Sequence, residues 1–350
     1  MANQVVTNDG FLEKQFRLKE NKTTVKTEIM AGITTFMTMA YILIVNPGML
    51  SETGMDYGGV FTATALASAI ACLAMAFLAN YPFALAPGMG LNAFFTYTVV
   101  FGMGHTWQFA LTAVFIEGII FLLISFFNIR EAIFDSIPMN LKKAVSVGIG
   151  LFIALIGFVN AGIVVAEGGT IVSLGDLTVG APLLAIIGLF ITGFLLAKKI
   201  KGALFYGILI TTIIGIPMGV SYMPANGLFS LPPSLAPVLF KFEWTNIFSF
   251  DMLIVVFTFL FVDIFDTVGT LIGVSSKAGM LDKDGKLPRV KGALLADAIG
   301  TTVGACLGTS TVTTFVESAA GVSEGGRTGL TAVTAAGMFL LALVFEIGRA

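Results

Sequence analysis

The chain has 350 residues, of which 56% are hydrophobic and 11% charged, against about 25% charged in soluble domains. That balance excludes an ordinary soluble domain, and the net charge of -2 excludes the basic surface that a nucleic-acid partner requires. No Gly-Lys-Ser/Thr phosphate loop is present, which excludes direct coupling to ATP through such a loop.

The first 26 residues are polar and carry Lys14, Arg17, Lys19, Lys22 and Lys26. They lack the short apolar core and small-residue cleavage pattern of a signal peptide, so residues 1–27 read as a cytoplasmic tail. The sequon Asn21-Lys22-Thr23 is then a chance match.

Apolar spans follow at 28–48, 60–80, 84–104, 107–127, 142–161, 182–197, 203–220, 250–274, 291–308, 310–323 and 328–346. Threaded alternately from a cytoplasmic N-terminus, these eleven spans place Arg130, Lys142, Lys143, Lys198, Lys199, Lys201, Lys277, Lys283, Lys286, Arg289, Lys291 and Arg327 inside, with the five tail cations. Only Lys241 and Arg349 fall outside, so 17 of the 19 positive charges lie on one side, as the positive-inside rule requires. The acidic loop from Ile163 to Val179 and the Pro-rich loop from Ser221 to Trp244 are then extracellular. Trp107 and Trp244 land at the outer interface, and His105 beside Trp107 reads as interfacial. Cys72 and Cys306 fall within apolar runs and read as packing residues, not as a disulfide or metal site.

The third span contains Ala86-Pro87-Gly88-Met89-Gly90-Leu91-Asn92, where Pro and Gly cluster inside the apolar run and disfavour a continuous helix. The tenth reads Gly308-Thr309-Ser310-Thr311-Val312-Thr313-Thr314-Phe315-Val316-Glu317-Ser318, first hydroxyl-rich and β-branched, then small. Both fit extended backbone followed by a half-helix, with Asn92 and Glu317 where each half-helix begins. Such backbone survives at membrane depth only against protein or a water-filled cavity, and a pair of interrupted spans points to a transporter's midplane site. The two spans lie seven apart, an odd number, so the repeats they belong to are inverted.

The eighth span, 23 residues from Met252 to Val274, carries Asp263 and Asp266. Asp263 is its twelfth residue, near the midplane, where an aspartate costs roughly 2.5–3.5 kcal/mol on insertion scales. Asp263, Asp266 and Thr270 are spaced to share one helical face. Because no apolar span carries Lys or Arg except at its cytoplasmic end, where Lys142, Lys143 and Lys291 lie, these acids read as part of an ion, proton or substrate pathway.

The Asn46-Pro47 end of the first span, Ala86-Pro87-Gly88-Met89-Gly90-Leu91-Asn92, Asp263-Ile264-Phe265-Asp266-Thr267-Val268-Gly269 and Thr313-Thr314-Phe315-Val316-Glu317-Ser318 together resemble the AzgA-like purine permeases of the nucleobase:cation symporter-2 family. The resemblance covers nearly the whole chain. It implies proton-coupled import of adenine, guanine or hypoxanthine across the plasma membrane by alternating access. The implied fold is an all-α inverted-repeat transporter of seven plus seven spans, about eleven of them present. On it the core domain would take 28–127 and 250–346, the gate 128–220, and an extracellular loop 221–249.

The resemblance assigns Asp263 and Glu317 to direct purine recognition, with Asn92 and Asp266 completing or supporting the site. The chemistry agrees, because a purine edge offers N–H donors to carboxylates and an amide can both donate and accept. At least one of Asp263, Asp266 and Glu317 is expected to take the coupled proton, since three clustered acids cannot all be ionised cheaply. Glu117 in the fourth span matches no motif and is either a proton-pathway residue or a packed acid. Phe94 and Phe265 either stack on the base or serve packing. No cofactor or metal is expected, and a homodimer is left open.

Two other classes bear on the same acids. An intramembrane aspartyl protease needs its two acids on different helices, one in Gly-x-Gly-Asp, and no such motif occurs. An anion transporter or channel on a related inverted-repeat fold remains the alternative, although three site carboxylates oppose an anionic substrate. The eleventh run gives way at Glu346-Ile347-Gly348-Arg349-Ala350. Since the resemblance implies three more gate spans, the expectation is a fragment that binds purine without transporting it alone, or a natural short form rescued by dimerisation.

Overall fold

Backbone polar groups inside a bilayer must be satisfied by the chain itself, and long apolar runs do this as helices. The structure, a computed structural model, describes residues 10–126, 138–166, 172–198, 200, 203–221, 231–283 and 286–345. Arg130, Lys199, Lys201, Arg349 and the run 346–350 lie outside the described residues. Among the described residues, six helices are long and apolar enough to cross a membrane.

A short helix α1 (Phe11–Phe16) precedes the first span. That span is two helices, α2 (Val25–Met39) and α3 (Ile42–Ser51), separated by a turn at Ala40–Tyr41. At the break the bonding tightens to i→i−3, with Leu43 N on Ala40 O and Ile44 N on Tyr41 O. The second span is α4 (Tyr57–Ala74), extended by a π-helical turn, Met75–Ala79. Asp56 starts it by accepting Gly59 N at 2.7 Å, a side-chain cap for an orphan amide.

The third and tenth spans are not continuous helices. Strand β1 (Leu85–Pro87) leads into α5 (Met89–Ala93), which continues in π geometry over Phe94–Gly102. The fourth to seventh spans are α6 (Trp107–Phe126), α7 (Met139–Asn160), α8 (Gly180–Ala197) and α9 (Ala203–Gly215). Between α7 and α8 lies a small hairpin of β2 (Val164–Val165) and β3 (Ser173–Leu174). The acid-bearing helix α10 (Phe250–Ala278) outruns its expected end by four residues and stops at Gly279, whose φ of +66° suits glycine. Then come α11 (Val290–Leu307), β4 (Val312–Thr314), the short α12 (Ser318–Ser323) and α13 (Gly329–Ala342).

Strands β1 and β4 pair antiparallel, Leu85 opposite Thr314 and Pro87 opposite Val312. The two strand-plus-half-helix units therefore run in opposite senses, and the chain has the all-α, inverted-repeat architecture expected of it. A two-stranded sheet in an apolar interior leaves outer edges to satisfy. Thr301 on α11 does this for β4, donating to Val312 O at 3.0 Å and accepting Val312 N at 3.2 Å. Cys72 on α4 does it for β1, its Sγ accepting Leu85 N at 3.2 Å. Cys72 thus seals a strand edge as well as packing.

Around the strand pair, α11 lies against α4 and α6, α13 against α2 and α4, and α12 against α2. Helix α10 packs on α6 and α7, while α8 and α9 pack chiefly on each other. The apolar window of the second span is 72% buried and that of α8 only 6%, so the centre of packing is the set of spans one to four and eight to eleven. The approach of α12 to α2 depends on Gly321, where a Cβ would stand 2.6 Å from Ala31 O.

Candidate functional site

The hydroxyl-rich stretch before α12 distributes its side chains among the surrounding helices. Thr309 accepts from Asn46 Nδ2 at 2.8 Å. Ser310 donates to Asn92 Oδ1, and Thr311 donates to Glu117 Oε2 at 2.7 Å. Thr313 donates to Asp266 Oδ2 at 3.3 Å. The irregular run 309–311 reaches α3, α5 and α6, and Thr313 of β4 reaches α10, so one short segment ties four helices together.

A cavity of about 450 Å³ opens between the two broken spans and α10, within the roughly 300–1,000 Å³ of small-molecule pockets. Gly88, Met89 and Gly90 at the start of α5 border it, as do Thr313, Thr314 and Phe315 of the tenth span. Its carboxylates are Asp266 and Glu317, its aromatic walls include Tyr41, Phe261 and Phe265, and Leu141 reaches it from α7. Tyr41 Oη donates to Glu317 Oε1 at 2.7 Å. Asp266 lies within electrostatic reach of both Asp297 and Glu317.

The expected site residues divide in the structure. Asp266 and Glu317 line the cavity; Asp263, Asn92 and Glu117 are fully buried and do not line it. Asp263 instead takes Thr267 Oγ1 at 3.0 Å, and the same hydroxyl lies 3.1 Å from Asp297 Oδ1. The physical reason is angular: residues three apart on a helix diverge by about 60°, enough to turn one acid to the cavity and the other to α11. It is Thr270, four residues on from Asp266, that shares the cavity face. Asn92 is not the start of its half-helix either, since α5 begins at Met89 with Gly88 as its cap. Glu317 is the N-cap of α12, as expected.

Of the two aromatic candidates, Phe265 faces the cavity. Phe94 packs edge-on against Phe259, centroids 4.9 Å apart. His105 stacks on Phe109 at 4.0 Å, its Nε2 lies 3.2 Å from Asp251 Oδ2, and it does not line the cavity. Sequence reasoning missed Tyr41 and Asp297. Asp297 carried the same signal as Asp263, an acid inside an apolar span, whereas Tyr41 carried none beyond its type.

Comparison with known proteins gives a consistent result. The sequence matches the Permease family over residues 26–347. It is 46% identical over 336 residues to the guanine/hypoxanthine permease PbuO of Bacillus subtilis, which spans 95% of this chain and 77% of that one. To the adenine permease AdeP of Escherichia coli it is 45% identical over 338 residues, 96% of this chain and 75% of that one. Among solved structures, the transmembrane domain of a cyanobacterium bicarbonate transporter, BicA, aligns over 90% of this chain and 81% of that one with a TM-score of 0.64. At 16% identity that likeness is one of fold alone.

Proposed function

The chain belongs to the Permease family, so it is an integral membrane permease and not an enzyme, and on that premise we propose that it imports purine nucleobases, guanine and hypoxanthine or adenine, by proton-coupled alternating access. The observation that carries this reading is the pair of carboxylates, Asp266 and Glu317, on one cavity with Phe265 between two broken spans. Carboxylates accept the N–H groups along a purine edge, and an aromatic wall suits a planar base. First-turn amides of a helix lack intrahelical acceptors, so Met89 and Gly90 at the start of α5 are placed to donate to a carbonyl or ring nitrogen of the base.

Leu141 of the fifth span lines the cavity, which supports a base site at the boundary where a core of 28–127 and 250–346 would rock against a gate of 128–220. Asp263, Asp266, Glu317 and Glu117 are the proton-coupling candidates, and Asp266 is the one that both meets the base and lies near two further acids. The cation asymmetry orients the N-terminus to the cytoplasm of a cell whose plasma membrane holds the permease. Asp263 and Asn92 then support the site through their buried partners instead of touching the base.

The test is competition. Purified chain should bind labelled hypoxanthine, and excess unlabelled guanine, hypoxanthine or adenine should displace it while bicarbonate and sulfate do not. Displacement by the inorganic anions, with none by the bases, would establish the anion reading instead.

A further inference from the structure

Tyr41 stands at the break of the first span, and its side chain crosses to the tenth. Its hydroxyl donates to Glu317 Oε1 at 2.7 Å across 276 residues of sequence. Both residues line the same cavity. A phenol carries one proton, and here that proton is committed to Glu317, so toward the cavity Tyr41 offers only acceptor lone pairs. Asp266 is held more loosely, by the 3.3 Å contact from Thr313. A glutamate side chain has several rotamers to lose when it engages a ligand, and the 2.7 Å bond from the phenol restricts that freedom in advance, the condition for a precise polar contact.

We propose that Tyr41 is the positioning residue that fixes which oxygen of Glu317 meets the base, and so determines which purine N–H the cavity reads through that acid. The assignment rests on the purine reading above. It gives the break at Ala40–Tyr41 a role: the tightened turn re-aims the chain where the phenol must leave the first span for the tenth. It also separates the two carboxylates by task, Glu317 reading one N–H in a set direction and Asp266 tolerating more than one pose.

The experiment measures equilibrium binding of hypoxanthine, 1-methylhypoxanthine and 9-methylhypoxanthine to the purified full chain and to Tyr41→Phe, which removes only the hydroxyl. In the substituted chain hypoxanthine should bind about tenfold more weakly, the loss expected for one hydrogen bond to a charged group. The methylated analogue that lacks the N–H taken by Glu317 should lose nothing further. Discrimination at that one position therefore falls about tenfold, while discrimination at the other is unchanged. An equal loss for the base and both analogues, or no loss, would overturn the assignment. Glu317→Asp, which draws the carboxylate back from the phenol by one methylene, should flatten the same discrimination with Tyr41 intact; retention of full discrimination there would also overturn it. Failure of the unsubstituted chain to bind any purine would instead overturn the purine reading itself.

Discussion

Asp263 and Asp266 lie one turn apart on α10, and the fold turns them to different partners. Asp266 meets the cavity and Thr313; Asp263 is buried against Thr267, whose hydroxyl also approaches Asp297. A threonine hydroxyl has one proton to give, so Thr267 serves one of these two acids at a time. The acids therefore differ in what their removal should do.

Asp266→Asn should lower purine affinity by about 1.5–3 kcal/mol, the value of a hydrogen bond to a charged group, and leave thermal stability nearly unchanged. Asp263→Asn should do the reverse, lowering the melting temperature through its disturbed buried partners with a smaller effect on affinity. Calorimetric titration and thermal denaturation of the two proteins side by side decide this. A larger affinity loss at Asp263, with an unchanged melting temperature, would return that residue to the base-binding role.

Glu317→Gln should weaken purine binding by roughly ten- to 150-fold. The amide loses the charge and one acceptor oxygen, and with its remaining oxygen accepting from Tyr41 it turns an NH₂ donor toward the N–H of the base, again a cost on the order of 1.5–3 kcal/mol. Unchanged affinity for guanine and hypoxanthine would remove Glu317 from the site.

Gly321→Ala should destabilise the protein by about 1–3 kcal/mol, the range for overpacking a tight contact. The added methyl would meet Ala31 O at 2.6 Å, and a backbone oxygen cannot rotate away as a side chain can. Because α12 carries Glu317 at its cap, purine affinity should fall along with the melting temperature. A stable protein with normal affinity would show that α12 and α2 are not held at this distance.

Proton coupling predicts that purine uptake into vesicles containing the protein rises when the side from which the base enters is made acidic and collapses when a protonophore is added. Clustering Asp266, Asp297 and Glu317 makes full ionisation of all three costly in a low-dielectric interior, which would be the physical source of such coupling. Uptake indifferent to both treatments would refute it.

The sequence alone determined the apolar spans, the two broken ones and the acids of the eighth and tenth. A bilayer makes each of these local signals strong: it demands helices, it makes every charge expensive, and Pro, Gly and β-branched residues interrupt helices wherever they cluster. What it left undecided was direction. Three-residue spacing put Asp263 and Asp266 on one broad face, and only the positions of α11 and β4 decided that one acid turns to Asp297's neighbourhood and the other to the cavity. Cys72 on the edge of β1 and Tyr41 on Glu317 were equally hidden. Their roles arise from contacts between distant stretches of chain, which the composition of neither stretch encodes and which exist only once the two inverted units have packed together.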